Sequence, residues 1–77
     1  MSLEKFIKDF EEAVEDLEPG SIEGNTAFQK LAVWDSLALL TVISMIDFEY
    51  NVSIKANLLK ECETIEALYH KIKTSKS

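Results

Sequence analysis

Between Leu3 and Leu17 the apolar residues fall three and four apart: Leu3, Phe6, Ile7, Phe10, Ala13, Val14 and Leu17. That spacing puts them on one face of a helix, while Lys5, Lys8, Glu11, Glu12 and Glu15 fall mostly on the others. Pro19 and Gly20 then stop it, so the pattern predicts a first helix over 3–17. An apolar stripe of this width must be covered by other elements. With two glycines and one proline in the whole chain, there is little room for the tight turns of a small β-protein. The stripe therefore calls for further helices.

Three more helical segments follow. Residues 21–34 make a long connection in which Phe28, Leu31 and Trp34 look like anchors, since loops of that length are usually functional or pinned down. A second helix is predicted from about Ser36 to Glu49, with Asp35 as its N-cap. It carries two apolar stripes: Leu39, Val42, Ile43 and Ile46 on one side, and Leu37, Leu40 and Phe48 about half a turn away with Ser44 between. A helix that is apolar on opposite sides packs on its own core and on something else, because complete burial is difficult in so short a chain. Residues 51–54 break this helix, and 56–61 make a short one with Leu58 and Leu59 inward. Thr64 is the expected N-cap of a last helix with Ile65, Leu68, Tyr69 and Ile72 inward, and residues 73–77 are expected to fray. The expectation is one all-α domain over 1–77, a four-helix bundle of three main helices and one short one.

Seventy-seven residues are near the lower limit for a fold held by a hydrophobic core alone. Such a chain buries too little surface to enclose a deep catalytic cleft as well, which lowers the expectation of an enzyme. Fourteen Asp and Glu stand against eight Lys, with no Arg. That balance repels phosphate backbones and argues against nucleic-acid binding. It suits a basic partner surface, although net charge also simply keeps small proteins in solution. The single cysteine, Cys62, allows no internal disulfide and reads as a small semi-buried apolar residue. No segment has the length of a membrane span, and the first residues show a helix pattern instead of a signal peptide. The reading is a monomeric cytoplasmic domain with no membrane insertion.

Catalytic constellations are missing from this sequence. His70 reads as a solvated surface residue beside Lys71, and acid pairs such as Glu11–Glu12 belong to a solvated helix face. There is no glycine-rich phosphate loop and no metal-ligand spacing. What remains is Trp34-Asp35-Ser36-Leu37, at the junction of the long connection and the two-faced helix. A serine there is exposed, and a phosphodiester on its oxygen is stabilised by the helix dipole and the unbonded amides of the first turn. Taken alone, an Asp-Ser start is more often a plain cap.

Asp35-Ser36-Leu37 resembles the Asp-Ser-Leu phosphopantetheine attachment motif of acyl carrier proteins. Its setting is similar as well: an acidic amphipathic first helix, a long loop containing Phe28, then Ile54, the Leu58–Leu59 helix and Thr64-Ile65-Glu66-Ala67-Leu68. Trp-Asp-Ser-Leu-Ala, with Glu61-Cys62-Glu63-Thr64 later, looks most like free-standing carriers of specialised pathways. The resemblance implies an acyl-carrier-like fold and a non-catalytic carrier. It implies 4′-phosphopantetheine on Ser36, added by a phosphopantetheinyl transferase. Acyl groups ride on the arm as thioesters to acyl-loading, condensing or acyl-transfer enzymes of fatty-acid, polyketide or related biosynthesis. It also implies a cargo pocket or core wall of Phe28, Ile46, Ile54, Leu59 and Leu68. An aminoacyl or D-alanyl carrier uses the same attachment chemistry, and an unmodified helical interaction module remains the reading from another class. The second helix departs from the fatty-acid carriers, with Ala38 and Thr41 where acids are expected. Docking is therefore expected on an apolar face of Leu37, Leu40 and Phe48, with Ser44 between them and Asp35, Asp47 and Glu49 as rim charges.

Overall fold

The computed structural model describes residues 2–15 and 17–76. Among them are four α-helices, α1 (Leu3–Ala13), α2 (Ser36–Tyr50), α3 (Ala56–Glu61) and α4 (Ile65–Lys76), with a 3-10 turn at Phe28–Lys30 and no strand. The acyl-carrier-like all-helical bundle expected from the sequence is the fold observed.

Ser2 caps α1, its Oγ accepting from the Lys5 amide at 3.2 Å, and Glu4 sits in the favourable first turn. The helix is shorter than its periodicity predicts. Val14 takes an extended conformation, its N–H still donating to the Phe10 carbonyl, and Leu17 N–H then closes a turn on the Val14 carbonyl. Val14 is buried, while Leu17 is only half-buried on the connection. The apolar pattern runs past the helix because core residues in a tight exit turn follow nearly the same spacing; Asp16 lies outside the described residues. Gly20 turns the chain with φ +81°, and its amide is held by Glu11 Oε2 at 2.7 Å.

The long connection is pinned from both ends. Phe28 is fully buried, Leu31 and Trp34 are half-buried, and Trp34 stacks on Phe10 with ring centroids 5.8 Å apart. The loop also caps α4: the Gly24 and Thr26 carbonyls accept from the Glu66 and Ile65 amides, while Thr64 Oγ1 accepts from Ala67 N–H. Gly24 lies so close to α1 that a Cβ there would meet Leu3 Cδ2 at 3.1 Å. Gln29 reaches α3, its side-chain amide donating to the carbonyls of Cys62 at 2.6 Å and Lys60 at 3.0 Å.

α1 packs against α2 and α4, and α2 against α3. Phe6 touches Tyr50 and Tyr69, and Phe10 touches Phe28, all with ring centroids between 5.5 and 5.8 Å. The buried row of α2 is Ala38, Val42, Ile46 and Tyr50, with Leu39 and Ile43 half-buried beside it. This corrects the expected inner stripe of Leu39, Val42, Ile43 and Ile46: Ala38 and Tyr50 join Val42 and Ile46 in the buried row, Leu39 and Ile43 are only half-buried, and the helix runs to Tyr50. α2 ends at Asn51 in the left-handed region (φ 57°), whose N–H donates to the Asp47 carbonyl. Residues 73–76, expected to fray, continue α4; Ser77 lies outside the described residues.

Candidate functional site

The approach to Ser36 is fixed before α2 begins. Trp34 sits edge-on to Phe28 at 5.0 Å and face-on to Phe10, so the last loop residues are held by the aromatic core. Asp35 is extended and its Oδ1 accepts from the Ala38 amide at 2.8 Å, which is the expected N-cap bond. The first intrahelical bond runs from Leu39 N–H to the Asp35 carbonyl. Ser36 is the first residue of the helix and is exposed. The Ser36 and Leu37 amides precede that bond and have no protein acceptor among the described residues.

This donor set suits a phosphodiester on Ser36 Oγ. The hydroxyl is reachable, two amides of the first turn remain to hydrogen-bond an anionic oxygen, and the positive end of the α2 dipole lies beside it. Asp35 keeps the turn in place. Its own negative charge is already directed at the Ala38 amide.

The residues expected on the docking face are on the surface. Leu37 is 72% exposed, Leu40 59% and Phe48 85%, and Ser44, Asp47 and Glu49 are exposed too. Phe28, Ile46, Ile54, Leu59 and Leu68 lie together in the buried core. None of them lines the larger surface clefts.

Two small depressions follow the α1–α2 seam, one at the start of α2 lined by Asp35, Leu37 and Ala38 and one farther along lined by Ser44, Met45 and Phe48; Ser36 lines neither. A cleft of about 690 Å³ lies elsewhere, between α1 and the connection, and is lined by Ile7, Leu17 and Ile22 among several glutamates. Cys62 is buried, its thiol donating to the Leu58 carbonyl at 3.4 Å, and burial pushes its pKa up. It is a poor nucleophile for that reason. His70 is exposed, with Nε2 3.6 Å from Glu66 Oε1.

Two polar ties that hold this frame were not expected from the sequence: the Tyr50 hydroxyl donates to Asp9 Oδ2, and the Gln29 amide donates to carbonyls at the end of α3. Tyr50 carried a usable signal, since Ala38, Val42, Ile46 and Tyr50 form a row of fours. Gln29 carried none, because its partners are main-chain carbonyls some thirty residues away.

No curated protein and no solved structure gives a match to the chain. A family model described as the phosphopantetheine attachment site matches residues 7–72, which takes in α2, α3, the long connection and most of α1 and α4. By that match the chain belongs to the phosphopantetheine-attachment family of acyl carrier proteins, whose members bear 4′-phosphopantetheine covalently.

Proposed function

We propose that Ser36 is the attachment residue and that the chain carries acyl intermediates between partner enzymes of fatty-acid, polyketide or related biosynthesis. The observation that carries this reading is an exposed serine on a capped helix start inside the family-matched segment. When bound, the arm supplies a terminal thiol on which cargo is held as a thioester.

The chain's own residues bind and present. Ser36 Oγ would attack the pantetheine-side phosphorus of coenzyme A, the new Oγ–P bond forming as the pyrophosphate P–O bond breaks; adenosine 3′,5′-bisphosphate leaves and the hydroxyl proton passes to a base of the transferase. The Ser36 and Leu37 amides hold the phosphodiester at the helix N-terminus. Asp35 and Trp34 keep that first turn in position. Acyl-loading, condensing or acyl-transfer enzymes dock on Leu37, Leu40 and Phe48, around Ser44. Asp35, Asp47 and Glu49 form the rim. Exposed apolar groups grouped on one helix usually mark contact sites, and the central anchors carry affinity while rim charges act on association rate.

Co-expression with a phosphopantetheinyl transferase and intact-mass measurement tests the assignment. The expected result is one phosphopantetheinyl increment on the wild type and none on Ser36→Ala, with both equally folded. An increment on Ser36→Ala refutes it.

A further inference from the structure

The cleft between α1 and the connection, about 690 Å³, falls in the size range of ligand sites, about 300–1,000 Å³. Its apolar lining comes from Ile7 on α1, Leu17 after the exit turn, and Pro19 and Ile22 on the connection. Ile22 is buried, whereas Ile7 and Leu17 are only half-buried. Hydrogen bonds fix the walls. Glu11 Oε2 accepts from the Gly20 amide at 2.7 Å and ties the connection back to α1, while Leu17 N–H closes the exit turn on the Val14 carbonyl. The opening is thus part of the fold, and little ordering is needed when something enters it.

The charge around this lining is one-sided. Glu4, Glu11, Glu12 and Glu15 line the cleft against a single cation, Lys8. Glu4, Glu12 and Glu15 are exposed, and none lies within ion-pair distance of a lysine among the described residues. Apolar groups inside a carboxylate rim repel an anionic surface and complement a segment that joins apolar side chains to lysines or arginines. A helix is such a segment when its apolar residues recur three and four apart with cations beside them. A second copy of this chain fits poorly. It has no Arg, and around Lys71 and Lys73 the apolar Ile72 is fully buried while Lys73 lies over the Tyr69 ring.

We propose that this cleft seats a basic amphipathic helix of a partner protein, with apolar side chains on Ile7, Leu17 and Ile22 and cations beside Glu4, Glu12 and Glu15. Ser36, Leu37, Leu40 and Phe48 are not among the residues lining it, so the seat is distinct from the attachment serine and the α2 face.

The test titrates the ¹⁵N-labelled chain with a peptide of leucine and lysine at helical spacing, about four turns long. The largest amide shifts are expected at Ile7, Glu11, Leu17, Gly20 and Ile22. Affinity should fall about tenfold in Glu4→Lys/Glu15→Lys, with the fold checked by circular dichroism, and also on raising salt from about 50 to 500 mM. Glu15→Lys alone gives the readout if the double variant loses helicity. A peptide with serine for every leucine should bind at least about tenfold more weakly, because the apolar anchors carry affinity. Largest shifts at Leu37, Leu40 and Phe48 overturn the proposal, as does equal binding by the serine peptide or by the folded charge-reversal variant. So does a dimer of the chain alone, seen by sedimentation, whose interface shifts fall on this cleft. Each of these outcomes leaves Ser36 as the attachment residue, which the mass measurement decides separately.

Discussion

The Tyr50 hydroxyl donates a 2.6 Å hydrogen bond to Asp9 Oδ2, joining the last turn of α2 to the middle of α1. The same carboxylate oxygen accepts from Lys5 Nζ at 2.9 Å. Burial and then the Asp9 carboxylate hold the Tyr50 phenol protonated well above the ordinary tyrosine range. Tyr50→Phe keeps the ring against Phe6 and removes only this bond, so it should cost about 1–2 kcal/mol in a denaturant titration. The pH dependence has a definite sign. A raised pKa means that the folded chain holds the proton more tightly, so the stabilisation is complete below the unfolded pKa of about 10 and is lost as pH rises above it. Wild type should lose more stability than Tyr50→Phe above about pH 10. Equal alkaline losses in the two proteins would show that the bond contributes nothing.

Phe10 is fully enclosed between Phe6, Phe28 and Trp34. Phe10→Ala should therefore cost about 3–5 kcal/mol, the usual range for a buried phenylalanine. That is a large part of the stability of so small a domain, so the variant should melt far below wild type or fail to fold. Because Phe10 also stacks on Trp34, tryptophan fluorescence should report a loosened loop. An unchanged melting temperature would contradict the packing.

Gln29→Ala removes the donor from the carbonyls at the end of α3. The site is partly open to water, so the expected loss is about 1 kcal/mol. The specific signature is faster amide hydrogen exchange at Cys62, whose N–H donates to the Leu59 carbonyl and closes the end of that short helix. Global destabilisation without that local change would mean Gln29 acts some other way.

Phe48 is 85% exposed, so Phe48→Ala should change stability by less than about 0.5 kcal/mol. Binding to a cognate partner, or loading by it, should nonetheless fall about tenfold or more if Phe48 is a central anchor, a loss of about 1.4 kcal/mol. The same titration on Asp47→Asn should show a change mainly in association rate and salt dependence. Unimpaired loading by Phe48→Ala would remove Phe48 from the docking surface.

Local rules carry much of this protein. The spacing of Phe6 and Phe10, the caps at Asp35 and Thr64, and the break after α2 each depend on neighbours within a few residues, so the amino-acid order alone makes them legible. The place of Ser36 is legible in the same way, because a helix start and its cap are set within one turn. Helix ends and helix rotation are not. The periodicity of α1 continues to Leu17, but burying Val14 in an extended exit turn ends the helix at Ala13. α2 is apolar nearly all round, so its pattern cannot say which side faces inward. Packing against α1 turns Ala38 and Tyr50 into the interior and leaves Leu37, Leu40 and Phe48 outside. The Asp9–Tyr50 bond and the reach of Gln29 to α3 join residues some thirty to forty apart. No local rule encodes such pairs. They exist only once the helices have packed and brought a donor and an acceptor within 3 Å.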